Sequence, residues 1–141
     1  MFEATANADT FSFNLDPPNT AENSTGETIR VTGAGIFDTD DEDVLASGSF
    51  KVFDASGALA ARGTWTATAF GNFDSFGGPS PGFQGGVLSI TVTLLPHGGV
   101  PVTGVSMSVT CLINAPPGLE EGTTVGDFTE KTGGNTLFNR H

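Results

Sequence analysis

The chain has 141 residues, of which 37% are hydrophobic and 15% charged, with 20 glycines and a formal net charge of −11. That length fits a single domain, 1–141, able to bury a real core, and the composition is too apolar for a disordered chain and too poor in charge for a helical bundle. Only 5 Lys and Arg stand against 16 Asp and Glu, which argues against binding nucleic acid or an anionic membrane surface, since both need clustered cations.

The aromatic set is 12 Phe, one Trp and no Tyr. Phe offers area without a hydrogen bond, so no phenol is on hand for acid–base work. The lone cysteine, Cys111, excludes an internal disulfide. The start, MFEATANADTFSF, has no basic region followed by an apolar run, so no signal peptide is expected. No stretch has the apolar length of a spanning helix. The outward strand positions are Ser and Thr without a Tyr/Trp girdle, which argues against an outer-membrane barrel. The expectation is a soluble protein whose compartment the residues do not specify.

Residues 1–8 read as a loose N-terminal arm. Thr10 to Leu15 alternates, with Phe11, Phe13 and Leu15 on one side, and predicts a short strand ended by Asp16-Pro17-Pro18. Asn19 to Gly26 is rich in turn formers and predicts a loop. Thr28 to Phe37 and Val44 to Phe53 alternate on either side of Asp38-Thr39-Asp40-Asp41-Glu42-Asp43. Pairing Phe37 with Val44 brings Val31 opposite Phe50 and Gly33 opposite Gly48, so the apolar faces match. It also sets Arg30 opposite Lys51, a like-charge pair that costs a little unless a shifted register or a carboxylate relieves it.

A turn at Asp54-Ala55-Ser56-Gly57 leads into Leu59 to Phe70. Pairing Phe53 with Ala58 puts Val52 opposite Leu59, Phe50 opposite Ala61, Gly48 opposite Gly63 and Ala46 opposite Trp65. Gly71 to Gly85 breaks the pattern and predicts a long loop carrying Phe73, Phe76 and Phe83. Gly86 to Ile113 predicts a hairpin around Pro96-His97-Gly98-Gly99. Leu95 then faces Val100, Ile90 faces Val105 and Leu88 faces Met107, with shifts of two left open because they preserve the faces. Thr123 to Glu130 reads as a seventh strand and Thr136 to Asn139 as an eighth.

Strands with one apolar face and no helix to cover it must close on themselves or stack. The short sequential turns predict an all-β, antiparallel up-and-down β-barrel of seven or eight strands; a β-sandwich is the alternative. The glycines at 33, 35, 48 and 63 fit the sharp curvature of closure.

The inward set by this parity runs from Ile29 and Val31 through Leu59, Ala61 and Trp65 to Met107, Val109 and Cys111, and it holds almost no titratable group. General acid–base catalysis needs at least one. The expected function is therefore binding of an apolar or aromatic small molecule at a mouth edged by Trp65, Phe70, Phe73, Phe76, Phe83 and Cys111, with the Phe-rich loop as a lid. A barrel-type isomerase or cyclase is the enzyme variant and requires an acid, Asp127 or another, turned inward. The alternative function is that of a structural or surface protein that self-assembles, as a homo-oligomer, through its Phe-rich loop or N-terminal strand.

Other motifs carry less. The acids at 38, 40 and 42 resemble the start of a calcium loop, but Asp43 stands where the turn glycine belongs and Ser49 where a bidentate Glu belongs, so a solvated turn is expected. No pattern implies a metal or cofactor. Cys111 lacks a base: His97 lies at the far end of its hairpin, and a buried free cysteine is ordinarily a small hydrophobe.

Overall fold

The structure, a computed structural model, describes residues 10–15, 17–78 and 82–141. The expected arm, 1–8, lies outside the described residues, as do positions 79–81 of the expected Phe-rich loop. The described residues form ten antiparallel strands and no helix: β1 (Thr10–Asn14), β2 (Asn19–Glu22), β3 (Thr28–Asp38), β4 (Asp43–Phe53), β5 (Leu59–Gly77), β6 (Phe83–Pro96), β7 (Val102–Cys111), β8 (Gly122–Val125), β9 (Glu130–Gly133) and β10 (Leu137–Arg140).

The hydrogen-bonded order is β1-β10-β6-β5-β4-β3-β2-β9, with β7 joining β6 to β8. β1 is paired on both edges, to β10 and to β3. Two long strands are shared. β3 pairs β2 along its first part and β1 along its second; β6 pairs β10 at its start and β7 beyond.

The β3–β4 register is the one the faces dictate: Phe37 opposite Val44, Val31 opposite Phe50, Gly33 opposite Gly48 and Arg30 opposite Lys51. The next hairpin departs by two residues, with Val52 opposite Ala61, Phe50 opposite Gly63 and Gly48 opposite Trp65. A bulge at Ala60 then sets Leu59 opposite Phe53. One extra residue flips the face beyond it, so Leu59 points out, at 52% exposure, instead of joining the core. In β6–β7 the pairs are Ile90 with Met107 and Val92 with Val105, again a shift of two that keeps the faces.

β5 does not end at Phe70. It runs on to Gly77, and most of the expected loop is strand. Three register shifts, at Thr68, Gly71 and Phe76, interrupt its pairing with β6. Each adds a residue, so Ala67, Phe70 and Phe73, which pair with Val92, Ile90 and Leu88, recur every third position rather than every second. Repeated bulges bend and twist a strand.

Two short strands also depart from expectation. Asn19–Glu22 is β2, not loop. Its inward residues are Ala21 and Asn19, the latter fully buried. Asn19 accepts from Thr123 Oγ1 at 3.1 Å and donates Nδ2 to the Asn135 carbonyl at 3.1 Å. Thr123 to Glu130 splits into β8 and a tight turn closed by reciprocal Val125–Phe128 hydrogen bonds, after which the chain enters β9.

The core is continuous. At one end Phe37 is the hub: its ring meets those of Phe11, Phe13, Phe70, Phe73 and Phe138 at centroid distances of 4.9 to 6.2 Å. Trp65, Ile29, Val31, Phe50, Val92 and Met107 belong to the same buried cluster.

Candidate functional site

The residues expected to edge one mouth are distributed over several places. Trp65 is fully buried, and its Nε1 donates to the Thr32 carbonyl at 2.8 Å. The small residues beside it do not leave a cavity there. A Cβ on Gly33 would lie 2.6 Å from the indole and one on Gly48 2.7 Å from it, so the two backbones are already in contact with the ring. Phe70 and Phe73 belong to the cluster around Phe37. Phe76 is half-buried near the end of β5, where its carbonyl accepts from Asn114 Nδ2 at 2.6 Å. Phe83 lies half exposed on the outer side of β6, paired with Asn139. Cys111 is buried opposite Gly86. Asp127 sits in the exposed turn between β8 and β9, so the interior receives no acid from it. The lid expectation fails for Phe73 and Phe76, because both are built into a paired strand.

A cleft of about 400 Å³ opens beside Cys111, between Asn14, Glu121 and Thr136. Glu121 closes it. One carboxylate oxygen accepts from the Leu112 amide at 3.1 Å and the other from the Thr136 amide at 3.1 Å. This carboxylate ties the exit of β7 to the approach to β10. Burial pushes the Cys111 thiol above its ordinary range, and the Glu121 charge adds to the shift. A thiol with a raised pKa is a poor nucleophile, and the nearby groups serve structure. Nearby, burial lowers the pKa of Lys131, partly offset by Glu120; its ammonium donates to Thr110 Oγ1 at 3.1 Å and the Glu120 carbonyl at 2.7 Å.

The outer face over β1 is more distinctive. Pairing aligns Leu45, Ile36, Ser12, Asn139 and Phe83 in one row across β4, β3, β1, β10 and β6. The next row holds Ser47, Ala34, Asn14 and Leu137. Small polar side chains on β1 thus form the floor of a shallow trough walled by Ile36 and Leu137. Leu45 is 74% exposed and Ile36 47%. At its β3–β4 end, a groove of about 450 Å³ runs between Thr10, Val44 and Leu45, with Phe37 at its base and Asp38, Asp41 and Asp43 on its rim.

The sequence reasoning passed over Glu121 and Asn19, which sit in segments without apolar alternation. It also passed over Ile36 and Leu45, although the correct Phe37–Val44 pairing already placed both on the outer face.

No protein-family model matches the chain, and neither does any curated protein or solved structure. Among the described residues, no helix is long and apolar enough to cross a membrane, and no group of three His, Cys, Asp or Glu is placed to hold a metal ion.

Proposed function

We propose that the protein is a structural or surface β-barrel that self-associates through the face centred on its N-terminal strand. The observation that carries this reading is the trough: large apolar side chains stand exposed on strands flanking β1, in two adjacent rows of one sheet. Contiguous apolar surface of this kind marks interaction sites. The barrel is favoured over the sandwich because β1 pairs with both β3 and β10, so neighbours can be followed from β1 through β10, β6, β5, β4 and β3 back to β1. A core filled by its own rings directs attention to the outside of the molecule.

The test is sedimentation equilibrium of the full chain and of Ile36→Ser/Leu45→Ser. Both positions are exposed, so the fold should survive. At about 1 M salt, where contacts between charged groups are screened beyond about 3 Å, the wild type is expected to associate and the variant to sediment as a monomer. A wild type that stays monomeric at high concentration, or a variant that associates equally well, overturns the proposal.

The apolar-ligand reading keeps one specific support, the groove over Phe37 between Val44 and Leu45. It predicts that a monomer enhances the fluorescence of an anilinonaphthalene probe and that Leu45→Ser abolishes the enhancement.

A further inference from the structure

On the opposite stretch of the β3–β4 hairpin, pairing places Arg30 beside Lys51 and Lys51 beside Arg62. Three of the 5 Lys and Arg of a chain carrying −11 therefore form one row across three strands. All three are exposed. None forms an ion pair with a described residue; the Arg30 guanidinium instead lies 4.9 Å from the centroid of the Phe53 ring. Like charges directly opposite on adjacent strands destabilise a sheet, and neither a shifted register nor a carboxylate relieves them here. Thr32, Ser49 and Thr64 form the next row and add hydroxyl groups beside the cations.

The same hairpin carries the complementary charge at its tip. Asp41, Glu42 and Asp43 are exposed in the turn, whose form is fixed by Asp38 Oδ1 accepting from the Asp40 and Asp41 amides at 2.8 and 3.0 Å. This turn cannot reach its own row. At about 3.3 Å per strand residue, Arg30 and Asp38 are on the order of 25 Å apart on one straight ladder. Adjacent strands stand about 4.8 Å apart, so the cation row spans roughly 10 Å, a width that a single tight turn can cover.

We propose that the Arg30–Lys51–Arg62 row docks the acidic turn, Asp38 to Asp43, of a second copy of this chain. The two surfaces differ, so the contact is head-to-tail and builds open chains or closed rings, not a two-fold dimer. The cation row lies apart from the trough over β1, and the acidic turn, which rims the groove at the trough's β3–β4 end, meets it through carboxylates and not through Ile36 or Leu45. Net charge opposes any meeting of copies, and distance decides which effect wins. At about 0.1 M salt, charges more than about 10 Å apart are screened while contacting pairs are not.

The test uses sedimentation velocity in the Ile36→Ser/Leu45→Ser background, which removes the trough from the measurement. The parent in this background is expected to associate at about 0.1 M salt and to weaken at least tenfold at about 1 M, where screening reaches about 3 Å. Lys51→Ser/Arg62→Ser and Asp41→Asn/Glu42→Gln/Asp43→Asn are each expected to remain monomeric, and an equimolar mixture of the two to form a 1:1 complex. A parent that stays monomeric, association that ignores salt, or a mixture that stays monomeric overturns the proposal. So does binding of inorganic phosphate to the row with no change in mass, which would make it a small-anion site.

Discussion

Phe37→Ala is the sharpest test of the filled core. The side chain is 2% exposed and touches five other rings. A buried phenyl removes about 170 Å² from water, which at about 25 cal/mol per Å² is about 4 kcal/mol. Lost ring–ring geometry and the cavity left behind push the cost to the upper end of the usual range, about 5 kcal/mol. Domains are stable by about 5–15 kcal/mol, so Phe37→Ala removes a third or more of the total. Urea unfolding followed by Trp65 fluorescence measures it, because this only Trp is fully buried. Phe37→Leu, which retains most of the volume, is expected to cost about 1.5 kcal/mol and guards against outright loss of the fold. Phe37 also lies at the base of the groove near Val44 and Leu45, so the truncated protein should gain an apolar pocket beneath that groove, which benzene should stabilise. A loss below about 2 kcal/mol, or benzene stabilising the wild type as strongly as the variant, would refute the hub.

Three further outcomes are expected. Gly48→Ala, whose Cβ would fall on the Thr32 carbonyl as well as the indole, should cost about 3 kcal/mol in urea unfolding followed by far-UV circular dichroism and should not be rescued by Trp65→Phe, because the backbone clash remains. Glu121→Ala leaves the Leu112 and Thr136 amides without their acceptor and should cost about 2 kcal/mol, with hydrogen exchange accelerating at both amides. For Cys111 the folded pKa is raised, so its stabilising contribution is complete below the ordinary thiol pKa and fades as pH climbs from there toward the folded value. Wild type should therefore lose stability relative to Cys111→Ala as pH rises above the ordinary thiol range, about 8.5, while Lys131, common to both chains, cancels in the difference.

How far the fold could be read depended on whether pairing was regular. β3 and β4 have no bulge, and their register follows from Phe37, Val44, Val31 and Phe50 alone. Between β4 and β5 the turn sets Leu59 rather than Ala58 opposite Phe53 and the residue at 60 adds one more; between β6 and β7 the turn sets Val102 rather than Pro101 opposite Leu94, and Thr103 and Gly104 face the single Thr93, so counting from the turn missed by two while the faces survived. β5 beyond Ala67 was illegible for a definite reason: inward residues at 67, 70 and 73 have neither a strand's period nor a helix's. β2 was illegible because Asn19 faces in through hydrogen bonds of which two, to Thr123 and Asn135, come from residues more than a hundred positions away. The expected site failed in the same places. Its Phe residues looked free to gather because the strand holding them did not look like a strand.

The first and last described strands give these observations a common consequence. Phe11 and Phe13 on β1 and Phe138 on β10 supply three of the rings around Phe37. All the other strands lie between these two in sequence, so they meet only after those strands have been laid down, and among the described residues β1 is held by β3 and β10. Completing the aromatic core and building the trough are therefore one event, since alternate residues of β1 face each way: Phe11 and Phe13 inward, Ser12 and Asn14 onto the outer rows. Weakening the inward contacts must loosen the outer surface too. Phe138→Ala should then diminish association through the trough as well as stability, although Phe138 is fully buried and touches no partner. An equal loss of stability with association unchanged would separate the two and leave β1 a structural strand alone.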